Sequence, residues 1–288
     1  MRTTLSSQTR SVVIDSDAAF TIIGEKINPT GRKKLADALL KRDFDYVVNL
    51  ARQQAASGAD LLDVNVGAPG VDEVALLPEV ARKVAETVET PLCLDSANRE
   101  ALAAALAVLP GKPLINSVNG EEASLNRILP VVKEYGAAVI GLTMDDDGIP
   151  PTAERRLAVA HKILERAARL GIPSEDVIID PLVLTVGADS KAASVTLRAV
   201  ELVRQELGVN INLGASNVSF GMPERHTLNQ AFLALAIAAG ASCAITDPLK
   251  LSLTIRAADL LRGRDERGKR YLSCWRTLQA LQPPQGSS

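Results

Sequence analysis

Carboxylates and amides recur through this sequence at the ends of short apolar runs. Glu25 closes FTIIGEK, with Asn28 just beyond it, and Asp63 and Asn65 lie in LLDVNVG. Asp95 ends PLCLDS, Asn116 and Asn119 lie in PLINSVN, Asp180 in VIIDPL, Asn217 in INLGASNV and Asp247 in SCAITDP. Buried without partners, such groups together would cost several kcal/mol, so they must bond one another or a ligand. Carboxylates accept paired hydrogen bonds, and amides both donate and accept. That set suits a flat heterocycle presenting an amino group beside a ring N–H, as a pterin does. Asn217 has two readings, because LGASNVSFGMPERH places it between an apolar run and a helical one. It either caps the helix or is aimed at a ligand by the scaffold behind it.

Other chemistries find little support. The two histidines, His161 and His226, make no Ser-His-Asp arrangement and no His/Cys cluster at zinc spacing, so no bound metal is expected. Asp145, Asp146 and Asp147 precede Gly148 as a solvated turn or, as the lesser alternative, a divalent-cation site. Gly214 and Gly221 could form a phosphate loop, but no Lys or Arg follows until Arg225.

These polar residues need elements to aim them. Apolar runs at 20–26, 61–67, 91–96, 113–119, 137–144, 177–182, 211–218 and 242–248 predict strands. Helical patterns follow them near 43–57, 72–89, 98–108, 122–135, 152–170, 189–207, 226–240 and 250–263. Strands apolar on both faces and separated by helices form a parallel sheet, and eight such units are the count of an α/β fold of the (β/α)8 TIM-barrel type. An open doubly wound sheet is the alternative. The expected organisation is one barrel domain over 20–263, an N-terminal arm or hairpin lid over 1–19, and a tail over 264–288. In the tail, Tyr271 to Trp275 either packs on the barrel or serves as a docking element. In a barrel the strand-end polar residues all fall at the C-terminal mouth.

Composition agrees with a large buried core, at 288 residues with 47% hydrophobic and 23% charged side chains. A net charge of −2 without a basic run argues against nucleic acid as a partner. The apolar stretch Ala231 to Ile245, broken by Gly240 and carrying Ser242, reads as a helix feeding a strand rather than a membrane span. MRTTLSSQTRSVVIDSD has no apolar signal region, and Cys93, Cys243 and Cys274 read as reduced thiols of a cytoplasmic protein.

In order, IGEKINPTG, LLDVNVGAPG, LCLDSAN, LINSVN, GLTMDDDGIP, IIDPL and GASNVSF resemble the pterin-binding barrel of methyltetrahydrofolate:corrinoid methyltransferases, similar also to the folate domain of cobalamin-dependent methionine synthase. The resemblance runs from about residue 20 to 263. It implies that Asp95, Asn116 and Asp180 hold the amino-pyrimidine edge of methyltetrahydrofolate, that Glu25 and Asn28 line the same mouth, and that Asn217 meets the methyl-bearing N5. Arg225 would meet the aminobenzoyl-glutamate tail, and Phe220 stands as in methionine synthase where the corrinoid iron-sulfur branch has Gln. The implied cofactor is cobalamin on a separate corrinoid protein, because eight units consume the chain and neither His161 nor His226 lies in an Asp-x-His-x-x-Gly motif. That partner would dock transiently on a rim including Lys26, Arg32 and Asp145 to Asp147, and relatives suggest a homodimer. A dihydropteroate synthase-like enzyme and a non-catalytic folate-binding subunit are the alternatives. The first needs basic and hydroxyl groups for a pyrophosphate leaving group, where this chain has VGAPGVDE and no Lys near Asn217.

Overall fold

The structure, a computed structural model, describes residues 1–281, and the end of the tail, 282–288, lies outside the described residues. The chain opens with an antiparallel hairpin, β1 (Arg2–Ser6) and β2 (Ser11–Asp15). Parallel strands then alternate with helices: β3 (Thr21–Ile27), β4 (Leu61–Val64), β5 (Leu92–Asp95), β6 (Leu114–Asn119), β7 (Ala138–Leu142), β8 (Val177–Asp180) and β9 (Cys243–Thr246). They pair in the order β8-β7-β6-β5-β4-β3-β9.

The gap between β8 and β9 is closed by residues 210–214. Asn212 N donates to Ile179 O and Ile179 N to Asn210 O, while Ile211 O accepts from Ser242 N and Cys243 N and Leu213 O from Ile245 N. The expected seventh strand over 211–218 is therefore shortened to isolated bridges at Ile211 and Gly214, and the architecture is that of a TIM barrel. From Ala215 to Ser219 the chain winds into a 3-10 turn instead. Ser and Asn side chains compete with a sheet ladder for backbone groups, and a Gly-Ala-Ser-Asn run favours a tight turn over continued extension.

Helices cover the outside: α1 (Lys33–Leu40), α2 (Phe44–Ala56), α3 (Glu73–Ala85), α4 (Arg99–Val108), α5 (Glu122–Tyr135), α6 (Ala153–Arg169), α7 (Ala192–Glu206), α8 (Arg225–Ala239), α9 (Pro248–Leu261) and α10 (Lys269–Leu281). Asp43, Asp72, Asn98, Thr152 and Asp247 cap α2, α3, α4, α6 and α9, each side chain accepting a first-turn N–H. Such caps contribute about 1 kcal/mol each and set where a helix leaves its loop. Among the described residues no helix is long and apolar enough to cross a membrane.

Strand alternation sorts the interior into layers. Ile23, Leu61, Cys93, Leu114, Ile140, Ile178 and Cys243 form one buried cluster with Leu5, Val12 and Ile14 of the hairpin. The residues between them, such as Ile22, Leu62, Leu94, Ile115, Val139 and Ile179, face the helices. The hairpin thus fills one end of the barrel. Lys112 N donates to Ser6 O, and Asn210 Nδ2 donates to Ile14 O at 2.9 Å, fixing the hairpin to the N-terminal ends of β6 and the seventh segment. Two residues further along β3, β4, β5, β6 and β8, on the same inward face, the apolar layer gives way to Glu25, Asp63, Asp95, Asn116 and Asp180, while β7 and β9 keep Leu142 and Ile245 there.

Candidate active site at the barrel mouth

Glu25, Asn28, Asp95, Asn116, Asp180 and Asn217 line one cavity of about 390 Å³ at the C-terminal ends of the strands. Asp63, Arg32 and Ser216 share the lining. A volume of this size accommodates a small heterocycle. Arg225 lies outside the lining. Its guanidinium donates to Ser219 Oγ at 3.1 Å and to Ser216 O at 2.8 Å, and sits 5.9 Å from the Phe220 ring centroid. Arg225 therefore buttresses the 3-10 turn from the start of α8. Lys26 also departs from the expected rim, since it is paired with Asp247 and largely buried.

Amide partners orient the carboxylates. Asn65 Nδ2 donates to Asp95 Oδ2 at 2.9 Å, Asn116 Nδ2 to Asp63 Oδ1 at 3.1 Å, and Asn212 Nδ2 to Asp180 Oδ2 at 2.8 Å. With its NH2 committed to Asp63, Asn116 keeps its oxygen for the cavity. Burial raises the Asp63 carboxyl well above the usual range, reinforced by the charge of Asp95 and opposed by Asn116. Burial likewise lifts Asp95 to about 6, against the Asn65 hydrogen bond. Asp180 also rises to about 6 by burial, held down by Leu182 N, Asn212 and Gly214 N. Asp63 thus holds its proton to higher pH than an ordinary aspartate, while Asp95 and Asp180 can offer carboxylate oxygens to hydrogen-bond donors of a ligand.

Several supports escaped the sequence reading. Arg156 of α6 is only 1% exposed. It donates to Pro181 O and Leu182 O at 2.9 Å each, gripping the backbone just after Asp180. Leu182 has φ 63, a left-handed conformation that costs a non-glycine residue about 1–2 kcal/mol. It is held there by Arg156, by Thr196 Oγ1 donating to its carbonyl at 2.9 Å, and by its own N–H donating to Asp180 Oδ1 at 2.8 Å. The available signal was an arginine interrupting the apolar stripe of Val159, Ala160 and Ile163. On β3, the register shifts between Gly24 and Ile27, and Lys26 N donates to Gln54 Oε1 at 2.8 Å. A Cβ on Gly24 would lie 2.5 Å from that oxygen, so glycine lets α2 fix the irregularity that carries Glu25.

Asn217 does not cap a helix. Its backbone N donates to Gly214 O and its carbonyl accepts from Phe220 N, while α8 starts later, at Arg225. The amide side chain lines the cavity. The Asp145–Gly148 segment is a tight turn, with backbone hydrogen bonds in both directions between its ends. Among the described residues no cluster of His, Cys, Asp or Glu is arranged to hold a metal ion.

Comparison with known proteins places this geometry. The family described as "Pterin binding enzyme" matches residues 24–247. A methylcorrinoid:tetrahydrofolate methyltransferase from Eubacterium limosum is 31% identical over 263 residues, covering 88% of this chain and 96% of that protein. Methionine synthase of Mycobacterium tuberculosis is 32% identical over 260 residues, covering 86% of this chain, which spans only 22% of that longer protein. Among solved structures, dihydropteroate synthase of Yersinia pestis with a pterine-sulfa conjugate superposes with a TM-score of 0.68 over 90% of this chain and 98% of that one. At 15% identity that likeness shows the fold alone.

The charge on Asp95 should cost the ligand-free fold. Its folded value of about 6 exceeds the unfolded value of ~3.9, so the folded chain binds the proton more tightly. Stability is then lost as pH rises from about 4 to about 6, and the cost persists above that window. Asp95→Asn keeps an oxygen for Asn65 and removes the charge. Urea unfolding at pH 7.5 should find the variant more stable by roughly 1–3 kcal/mol, the difference closing near pH 4. A variant no more stable at pH 7.5 than at pH 4, relative to wild type, contradicts this.

Proposed function

This chain belongs to the pterin-binding enzyme family, and we propose that within it the chain is a methyltransferase moving the N5 methyl group between methyltetrahydrofolate and the cobalt of a corrinoid held by a partner protein. The observation that carries this reading is the gathering of Asp95, Asn116, Asp180 and Asn217 around one cavity. Relatives of about this size and of greater length, named for corrinoid–folate methyl transfer and for methionine synthesis, support it. A dihydropteroate synthase reading has less support, because among the described residues Arg32 is the one basic side chain lining the cavity and a diphosphate leaving group calls for more.

The residues divide the work. Asp95 and Asp180, ionised at neutral pH, accept the N–H groups of the amino-pyrimidine edge, and the free oxygen of Asn116 accepts a further one. Asn28 closes the mouth near Thr30, whose N–H its side chain accepts at 3.0 Å. Asn217 faces N5 with an amide that stabilises the charge developing there as the methyl group departs. The reduced cobalt of the partner supplies the electron pair that takes the methyl group. A cytoplasmic setting fits three free cysteines, two of them buried in the barrel.

Groups that grip the pyrimidine act in the ground and transition states alike, whereas Asn217 acts mainly on the second. Asn217→Ala should therefore lower the single-turnover rate by on the order of 2–4 kcal/mol of barrier, with folate affinity little changed. Asp180→Ala should mainly weaken folate binding, read by calorimetry. Equal losses of affinity and rate in both variants would sink this division.

We further infer a homodimer. The outward face of α8 carries Ala231, Ala234, Leu235 and Ala238, with no charged residue from Thr227 to Ala239. Beside it on α9, Leu261 is 87% exposed and Leu260 36%. An uncharged face of this kind is suited to burial against a second copy. Sedimentation at micromolar concentration should give a dimer that Leu235→Glu with Leu261→Glu converts to a folded monomer. A monomeric wild type refutes the inference.

A further inference from the structure

Methyl transfer from N5 leaves an electron pair on that nitrogen, and a tertiary amine departs readily only if a proton meets the pair. Asn217 has no proton to give. Asp95 and Asp180 are engaged by Asn65 and Asn212 on the walls assigned to the pyrimidine edge, and Asp63 accepts from Asn116. Among the described residues, Glu25 is the carboxyl of the lining to which no asparagine amide donates.

Its position is informative. Glu25 stands on β3, which pairs with β9, and Gly214 bridges to Ile245 of β9, so the turn bearing Asn217 is the next element round the barrel. Glu25 lines the same cavity as Ser216 and Asn217, with the Ser216 side chain close enough to lower its carboxyl. It therefore occupies Asn217's side of the cavity. The charged groups around it are Asp247 beyond β9, Lys26 and Arg32 from its own strand and the following loop, and Asp63 of β4. Lys26 is paired with Asp247, which leaves Glu25 without an ion pair among the described residues. Burial raises its carboxyl, the nearby Ser216 side chain opposes that, and the Asp247 charge raises it further, so a proton stays on Glu25 at higher pH than on an ordinary glutamate.

Resting on the methyl-transfer reading above, we propose that Glu25 is the acid of the reaction, its carboxyl group delivering the proton to N5 as the methyl–nitrogen bond breaks. The electron pair of that bond stays on N5 and is taken up by the Glu25 proton. The methyl group leaves with the pair supplied by the partner's cobalt(I), and Glu25 is left as carboxylate. Water reaching the open cavity restores its proton. In the opposite direction the Glu25 carboxylate removes the N5 proton while the nitrogen pair attacks the methyl group. Asn217 then stabilises a charge that Glu25 creates.

The test uses the full-length chain, methyltetrahydrofolate and a reduced corrinoid protein, with Glu25→Gln, which keeps size and hydrogen bonding but carries no acidic proton, and Glu25→Asp, which keeps the acid. Calorimetry without corrinoid should put the folate affinity of Glu25→Gln within about threefold of wild type, while its single-turnover transfer rate falls about 100-fold in both directions. The wild-type forward rate should decline as rising pH removes the Glu25 proton, a limb that Glu25→Gln lacks and Glu25→Asp retains. Glu25→Gln transferring within threefold of wild type overturns the role, as does a loss of folate affinity as large as the loss of rate. If the wild type binds methyltetrahydrofolate but transfers nothing, the reading of the reaction fails and this role falls with it. If the wild type transfers and Glu25→Gln keeps pace, only the role of Glu25 fails.

Discussion

Carboxylates held out of water at the mouth of a closed barrel are the constraint on which the rest of the structure depends. Asp63 is 2% exposed and Asp180 4%, and each charge that persists there must be met by a directed donor. Asn65, Asn116 and Asn212 provide one amide to each of three carboxyls, and Leu182 N adds a backbone donor. Those bonds orient the carboxylates without exhausting their lone pairs. The remaining acceptor capacity is a standing demand for a ligand with paired N–H groups, and burial makes such a ligand more favourable than water.

The scaffold holds this layer by over-determining its backbone. Leu182 keeps a left-handed conformation because Arg156, Thr196 and Asp180 all bond it. Glu25 is carried by a strand irregularity that Gln54 fixes and that only a glycine at position 24 permits. At the opposite end, the hairpin's Leu5 and Ile14 complete the apolar cluster beneath the polar one. There a buried network anchors the start of β3, with Arg256 donating to Phe20 O at 2.6 Å and Phe20 N donating to Asp259 Oδ1 at 2.9 Å. Stability is concentrated in the floor and walls, whereas the mouth carries groups whose burial opposes folding until a ligand arrives.

Much of this was legible in the sequence because it follows from periodicity. Short runs apolar on both faces, separated by helical patterns, marked the strands, and the polar residues that end most of those runs marked the mouth. The seventh unit was less legible: INLGASNV reads as one apolar run, yet Gly214 and the Ser and Asn after it turn the chain out of the sheet, so only 210–214 bridges its neighbours. The same turn separates Asn217 from the helix that follows, which decided between cap and cavity. Arg225 could not be placed from its position alone, because its direction depends on Ser216 and Ser219 in that turn. Asp63 was visible as a strand-end carboxylate but its pairing with Asn116 was not, and Arg156 sat unremarked because its importance comes from long-range packing on the Asp180 loop. α1 was missed because Lys33-Lys34 and a short amphipathic run resemble a charged loop.

The central claim is that this cavity presents a methylated pterin to an external cobalt, and one rapid-mixing measurement tests it most directly. The chain, preloaded with methyltetrahydrofolate, is mixed with a corrinoid protein reduced to Co(I), and the Co(I) absorbance is followed through a single turnover. The account predicts loss of that absorbance with stoichiometric formation of methylated corrinoid and tetrahydrofolate, and no change when either the chain or the folate is omitted. A Co(I) signal that persists while the folate is demonstrably bound, or methyl release that proceeds with no corrinoid present, would contradict it.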